Sequence, residues 1–290
     1  GIPAILKANY LGRSLLYCYE EFLRVGPEEF RGKLLRYAQT KTCQVIDPEI
    51  SSMKFLNTKG ILIPKILFVL PNLVIYEQLD PFIGRIDQSV EELIKIHRIS
   101  VGQQFVLRDI QIEDESITIF DGNFRDPIRM TGISAQILAL IQKARDRGVV
   151  MLHGDLKRNN LLQKGRVVYV IDPKLSSGIP EMDIGKLLMR ELICAPDMQS
   201  KERLESCLSF LVQYTRAQGF DFRSFETVSI ALGLIELNHL LQNPPREHLD
   251  ILGEEMLQLY QYKDKIWYLC QKILSNEVVE IQDVHRVIIG

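Results

Sequence analysis

The chain runs to 290 residues, 46% of them hydrophobic, with 35 Lys and Arg against 37 Asp and Glu for a formal net charge of −2. This composition supports a sizeable core and excludes a disordered chain, and the balance of charge excludes a general electrostatic nucleic-acid binder. No apolar stretch reaches the roughly 18–20 residues of a membrane helix, so neither a nucleic-acid partner nor a membrane span is expected.

In chain order, Pro3–Ala8 reads as a short strand ending near Lys7. Leu11–Val25 has amphipathic helical spacing, and Pro27 with two acids behind it opens a second helix through Gln39. A third helix is expected over Pro48–Asn57, followed by strands at Lys65–Val69 and Leu73–Glu77 joined through Pro71-Asn72 as a hairpin. Glu77-Gln78-Leu79-Asp80-Pro81 then marks a boundary before a helix at Ser89–Arg98. Phe105–Phe120 alternates as a β-rich insertion, and a helical approach runs from Ile133 to Arg147. Beyond Asp183 the pattern is helical, at Met182–Ile193, Lys201–Gln218, Phe225–Gln242, His248–Asn276 and a short tail from Ile281.

The cysteines Cys18, Cys43, Cys194, Cys207 and Cys270 are scattered and make no CxxC pair, which argues against a disulfide framework or a zinc site. They suit use as small apolar residues. The first residues carry no charged region followed by an apolar signal core, and a reducing, cytoplasmic setting is expected.

One segment carries chemistry. His153-Gly154-Asp155-Leu156-Lys157-Arg158-Asn159-Asn160 is followed by the apolar run Val167–Ile171 and then Asp172-Pro173-Lys174. Asp155 and Asn160 have the spacing of a kinase catalytic loop, in which the Asp orients or deprotonates an attacking hydroxyl and the Asn ligates a metal. Asp172, at the end of an expected strand, is placed to hold magnesium against nucleotide phosphates, since that ion prefers oxygen ligands. Lys157 is placed to reach the moving phosphate. Alone, His-Gly-Asp is usually a turn and Ile-Asp-Pro a strand end; together, in this strand context, they point to phosphoryl transfer.

His153 through Asn160, Ile171-Asp172-Pro173-Lys174 and Pro180-Glu181-Met182-Asp183-Ile184-Gly185-Lys186-Leu187-Leu188 resemble the aminoglycoside phosphotransferase-like branch of the protein-kinase-like fold. The Ile-Asp-Pro-Lys form looks most like the streptomycin and hydroxyurea phosphotransferases. The resemblance implies an α+β, bilobal fold, with a small β-containing nucleotide-binding lobe over residues 1–79 and a larger, mostly helical catalytic and substrate-binding lobe over 80–290. It implies ATP and magnesium as cofactors, Asp155 as the base or hydroxyl-orienting group, Asn160 and Asp172 as metal ligands, and Asp183 and His153 as supports of the loop. Backbone groups at Glu77, Gln78 and Leu79 would pair with the adenine edge. No Gly-rich phosphate loop is visible. The phosphate-binding lysine is assigned to Lys7, with Glu20 or Glu21 as its helix partner, against a rival alignment on Arg36 and Glu49.

The acceptor implied is a hydroxylated small molecule, aminoglycoside- or sugar-like. Glu181, Glu191, Glu236 and Asp250 offer charge complementarity to a cationic substrate, and Phe222, Phe225, Tyr260, Tyr262 and Trp267 a sugar-binding wall, although such residues more often serve helix faces and cores. A nucleotide-binding pseudokinase is one alternative. A protein acceptor is another and the weaker, because Gly154 and Pro173 depart from the protein-kinase pattern and Leu175–Glu181 is too short for a peptide-positioning loop.

Overall fold

Two runs rich in β-branched and aromatic residues, Ile66–Leu70 and Leu73–Glu77, pair antiparallel as β2 and β3. The computed structural model describes residues 4–8, 46–70, 73–77, 79–101, 106–120, 127–194, 199–242, 259–275, 277 and 279–289. β1 (Ala4–Ala8) lies antiparallel on the other edge of β3, giving the order β1-β3-β2, with Lys7 opposite Val74. The helices expected over 11–25 and 27–39 lie outside the described residues.

By internal contacts the chain divides into two compact units, residues 1–81 with 162–172, and residues 82–161 with 173–290. In the first, α1 (Ile46–Thr58) buries Ile50 and Met53 with Tyr76, and Ile63, Ile66 and Ile171 pack against that cluster. Gly60, at φ 77, takes the chain out of the helix, a left-handed conformation that glycine adopts without a Cβ penalty. β4 (Asp80–Pro81) pairs with β10 (Leu161–Lys164), which turns at Gly165 into β11 (Val167–Val170). The Val170 N–H then donates to the Leu62 carbonyl at 2.9 Å.

The second unit mixes two small sheets with most of the helices. β5 (Val106–Leu107) lies parallel to β12 (Ser176–Gly178), which pairs antiparallel with β9 (Val150–Leu152). β6 (Ile110–Glu113), β7 (Ser116–Ile119) and β8 (Ile128–Thr131) form an antiparallel meander. It buries Ile110, Ile117, Ile119 and Ile128, the period-two pattern of a half-covered sheet. The helices are α2 (Val90–His97), α3 (Ala135–Asp146), α4 (Pro180–Cys194), α5 (Ser200–Gln218), α6 (Phe222–Gln242), α7 (Lys263–Leu274) and α8 (Ile281–Ile289). Their ends follow from local chemistry: the Ser134 hydroxyl accepts from Ile137 N to cap α3, Pro180 opens α4, and Gly219 at φ 70 closes α5.

The α4–α6 crossing organises this unit. A Cβ on Gly185 would stand 2.1 Å from the Ser229 carbonyl oxygen, and one on Gly233 would stand 2.4 Å from that of Gly185. Only glycine at both positions lets the two backbones meet, and the contact sets how each helix is rotated about its axis.

The α+β class is the one expected. Two local readings differ. The single helix expected over 248–276 is interrupted at Tyr262, whose φ of −104 and ψ of 8 begin α7 afresh, and the short strands β8, β9, β10 and β12 were not anticipated, because three or four residues are too few to carry a period. Cys207 and Cys270 are buried and without disulfides, and burial pushes both thiols up, Cys270 to about 12. Among the described residues, no helix is long and apolar enough to cross a membrane.

Candidate active site

The loop after β9 is built around a carboxylate that does not react. Asp183, in the first turn of α4, accepts the His153 N–H at Oδ2 (2.6 Å) and the Gly154 N–H at Oδ1 (3.0 Å). His97 Nε2, at the end of α2, lies 3.3 Å from Oδ2, and His97 Nδ1 lies 2.6 Å from the Tyr214 hydroxyl of α5. Burial opposes the charge on Asp183, yet the His97 hydrogen bond and the nearby His97, His153 and Arg108 hold its carboxyl down to about 2. Asp183 therefore stays ionised and ties the loop to three helices, as the resemblance implied.

Gly154 allows the tightest point of the loop. Its φ is 85, and a Cβ there would stand 2.0 Å from the Lys174 carbonyl oxygen. The Lys174 N–H donates to the His153 carbonyl at 2.7 Å and Arg108 Nη2 donates to the Gly154 carbonyl at 2.5 Å, so the chain after Pro173 is stitched to the loop before Asp155.

Asp155 stands differently. Lys157 Nζ is 3.3 Å and Lys174 Nζ 3.6 Å from its Oδ2, and Lys186 Nζ is 3.6 Å from its Oδ1. Burial opposes ionisation, but Lys157, Lys186, Lys174 and Arg190 outweigh it and hold the carboxyl well below the usual carboxylate range. The short 3₁₀ turn Arg158–Asn160 follows. There the Asn160 Nδ2 donates to the Asp155 carbonyl at 2.7 Å, which directs the amide oxygen the other way. Arg158 is committed to architecture: it pairs through two nitrogens with Glu191 and donates to the Phe82 and Gly84 carbonyls at 3.1 and 2.9 Å.

Asp155, Lys157 and Asn160 are thus brought together within one unit. Asp172 ends the other unit at φ 53, left-handed backbone that costs a non-glycine residue roughly 1–3 kcal/mol and concentrates at functional positions. An amide and a carboxylate are hard oxygen donors, so Asn160 and Asp172 fit magnesium in chemistry. Leu79 is buried, and the Glu77 N–H is spent on the Lys65 carbonyl at 2.9 Å. The Glu77 carboxylate accepts from Lys65 N at 3.0 Å and lies 3.9 Å from Lys164. Gln78, Arg36, and the side chains of Lys7 and Glu49 lie outside what is described.

One expectation for the acceptor region is overturned. Glu181, Glu191 and Glu236 are buried and paired with Arg147, Arg158 and Lys186 respectively, so these acids have already spent their charge inside the fold; Asp250 lies outside the described residues. Of the aromatic residues, one follows the commoner reading as core. Phe225 is core, with ring centroids 5.2 Å from Tyr214 and 5.5 Å from Phe220, whereas Trp267 is 52% exposed. Lys174 and Lys186 were quoted in the sequence motifs without a role, and His97, Tyr214 and Arg108 went unnoticed. The adjacency of Lys186 to Gly185 was a signal for one of them, but its facing depends on a helix crossing.

No family model matches the chain, and no curated protein matches it. Among solved structures, the chain is similar to an amicoumacin kinase in complex with AMP-PNP, Ca²⁺ and Ami, at 14% identity and a TM-score of 0.47, over 83% of this chain and 80% of that one. A choline/ethanolamine kinase family protein from Mesorhizobium loti is similar at 13% identity and a TM-score of 0.42, over 83% and 84% of the two chains. An aminoglycoside-3'-phosphotransferase of type VIII is similar at 17% identity and a TM-score of 0.38, over 74% and 78%. The proteins this chain is similar to are small-molecule kinases.

Proposed function

We propose that the protein is a magnesium-dependent phosphotransferase that moves the γ-phosphoryl group of ATP to a hydroxyl of a small molecule. The observation that carries the reading is Asp155: a carboxylate kept ionised by lysines, on a loop clamped at its backbone by Asp183, one short turn before an amide held in fixed orientation.

Phosphoryl transfer asks a protein chiefly for positioning and charge neutralisation. A carboxyl so far below its usual range is a weak base, so Asp155 acts first by accepting a hydrogen bond from the acceptor hydroxyl and aiming its oxygen. The proton moves to Asp155 late, as the bond from phosphorus to the acceptor oxygen forms and the bond to the ADP oxygen breaks, and then passes to solvent. Lys157 neutralises charge on the moving phosphoryl group. Magnesium held by Asn160 and Asp172 would supply further neutralisation at the phosphates. Backbone groups of residues 77–79 take the adenine, and Lys7 the nucleotide phosphates. Consumption of ATP agrees with a cytoplasmic location.

ADP release measured with magnesium-ATP and a panel of hydroxylated compounds tests this, with Asp155→Asn as the control. Turnover should fall by about 10²-fold or more at unchanged thermal stability. Equal turnover in the variant would remove Asp155 from the chemistry, and nucleotide binding without transfer to any compound would favour a pseudokinase.

A further inference from the structure

Charge within the larger unit narrows the acceptor. Three ammonium groups, Lys157, Lys174 and Lys186, stand within 3.6 Å of the single Asp155 carboxylate. One further acid enters the cluster: Glu236 of α6, 2.8 Å from Lys186. Lys157 is given to the moving phosphoryl group, so Lys174 and Lys186, with Arg190 adding to the same field, set the charge the acceptor hydroxyl meets.

Lys186 makes this charge a built feature. It is 4% exposed, and the Gly185–Gly233 backbone contact fixes the helix face from which it reaches Asp155. A buried ammonium is costly unless paired, and here its charge is shared between two carboxylates rather than cancelled by one. Its Nζ stands 2.8 Å from Glu236 Oε1, on a residue 8% exposed. The acids that might have welcomed a polyamine are consumed by Arg147 and Arg158, so an amino group brought here would meet ammonium groups first.

We infer that the acceptor is an anionic polyol, a hydroxylated compound carrying a carboxylate or phosphate beside the hydroxyl that is phosphorylated, and not a polycationic aminoglycoside. This rests on the phosphotransferase reading and names its substrate class. Lys174, with a side chain 58% exposed beside Asp155, receives the anionic group.

The test compares gluconate and glucose 6-phosphate with neutral glucose and with kanamycin, using the full chain. Binding is read by calorimetry in the presence of the non-hydrolysable nucleotide AMP-PNP, and turnover by ADP release with ATP. The anionic compounds should bind at least about 10-fold more tightly than glucose, with an advantage that shrinks as salt is raised. Lys174→Gln should cut the preference for anionic acceptors over glucose, read as the ratio of their kcat/KM values, about 5- to 10-fold, the loss expected for one hydrogen bond to a charged group. Gluconate against glucose 6-phosphate separates a carboxylate from a phosphate requirement. Equal or better binding of glucose or kanamycin would overturn the anionic class while leaving phosphoryl transfer intact. Anion binding that depends on Lys174 without any transfer would do the reverse. Absence of anion binding sinks the inference whatever the turnover.

Discussion

Asp155 and Asp183 are two carboxylates on opposite sides of one loop, both held more acidic than usual, by different means. Asp183 is saturated: two backbone N–H groups and a histidine point at its oxygens, and its side chain is 1% exposed. Asp155 is surrounded rather than saturated, by ammonium groups at 3.3–3.6 Å, and its side chain is 14% exposed. Directed hydrogen bonds make an immobile anchor, whereas diffuse charge leaves lone pairs for an incoming hydroxyl. The pair shows how one fold makes one carboxylate an anchor and leaves another partly open among ammonium groups.

The sharpest way to break the comparison is to exchange the symptoms. Asp155→Asn should cost about 10²-fold or more in turnover with little change in melting temperature. Asp183→Ala should do the opposite first, destabilising the fold by about 3–5 kcal/mol as buried partners lose their acceptor, with activity lost along with the loop; denaturant unfolding measures it. If Asp183→Ala instead folds as well as the parent, the anchoring role is wrong. Gly154→Ala comes next, because its Cβ would meet the Lys174 carbonyl and its φ is left-handed, at a cost of about 1–3 kcal/mol.

Acid sharpens the contrast. Because the folded Asp183 carboxyl lies at about 2, its contribution to stability is fully present above the unfolded value near 4 and is lost as pH falls toward 2. About 2 kcal/mol should disappear across that window, and Asp183→Asn should flatten this part of the stability profile. The smallest effect belongs to Lys186→Met. With one cation fewer, the Asp155 carboxyl should move up toward its ordinary range, and the acid limb of kcat/KM should move up in pH with it. An unmoved acid limb would show that Lys186 does not act on Asp155.

Much of the loop was legible from residues alone. Asp155, Asn160 and Asp172 stand at a recognisable spacing, and the strands and helices flanking them follow from period two, period 3.6 and end signals such as Pro180 and Gly219. What was misread has a common cause. Glu181, Glu191 and Glu236 looked like open charge because a sequence shows that a helix carries an acid but not the arginine or lysine another element brings to it. Phe225 is core, the commoner reading of an aromatic at helical spacing, but that spacing does not say which neighbour covers its ring. The break at Tyr262 escaped notice because the residues on both sides are helix formers.

Sequence by itself determined the chemistry on offer: an aspartate, an amide and a second aspartate in the order and spacing of a phosphoryl-transfer loop, inside an α+β pattern. Only the tertiary structure decided the company Asp155 keeps. Gly185 and Gly233 bring α4 and α6 into backbone contact, and that contact fixes the rotation of both helices, so that Lys186 and Glu236 meet at the catalytic loop. Short-range periodicity cannot encode such a rotation, because it is set by the close approach of segments about fifty residues apart.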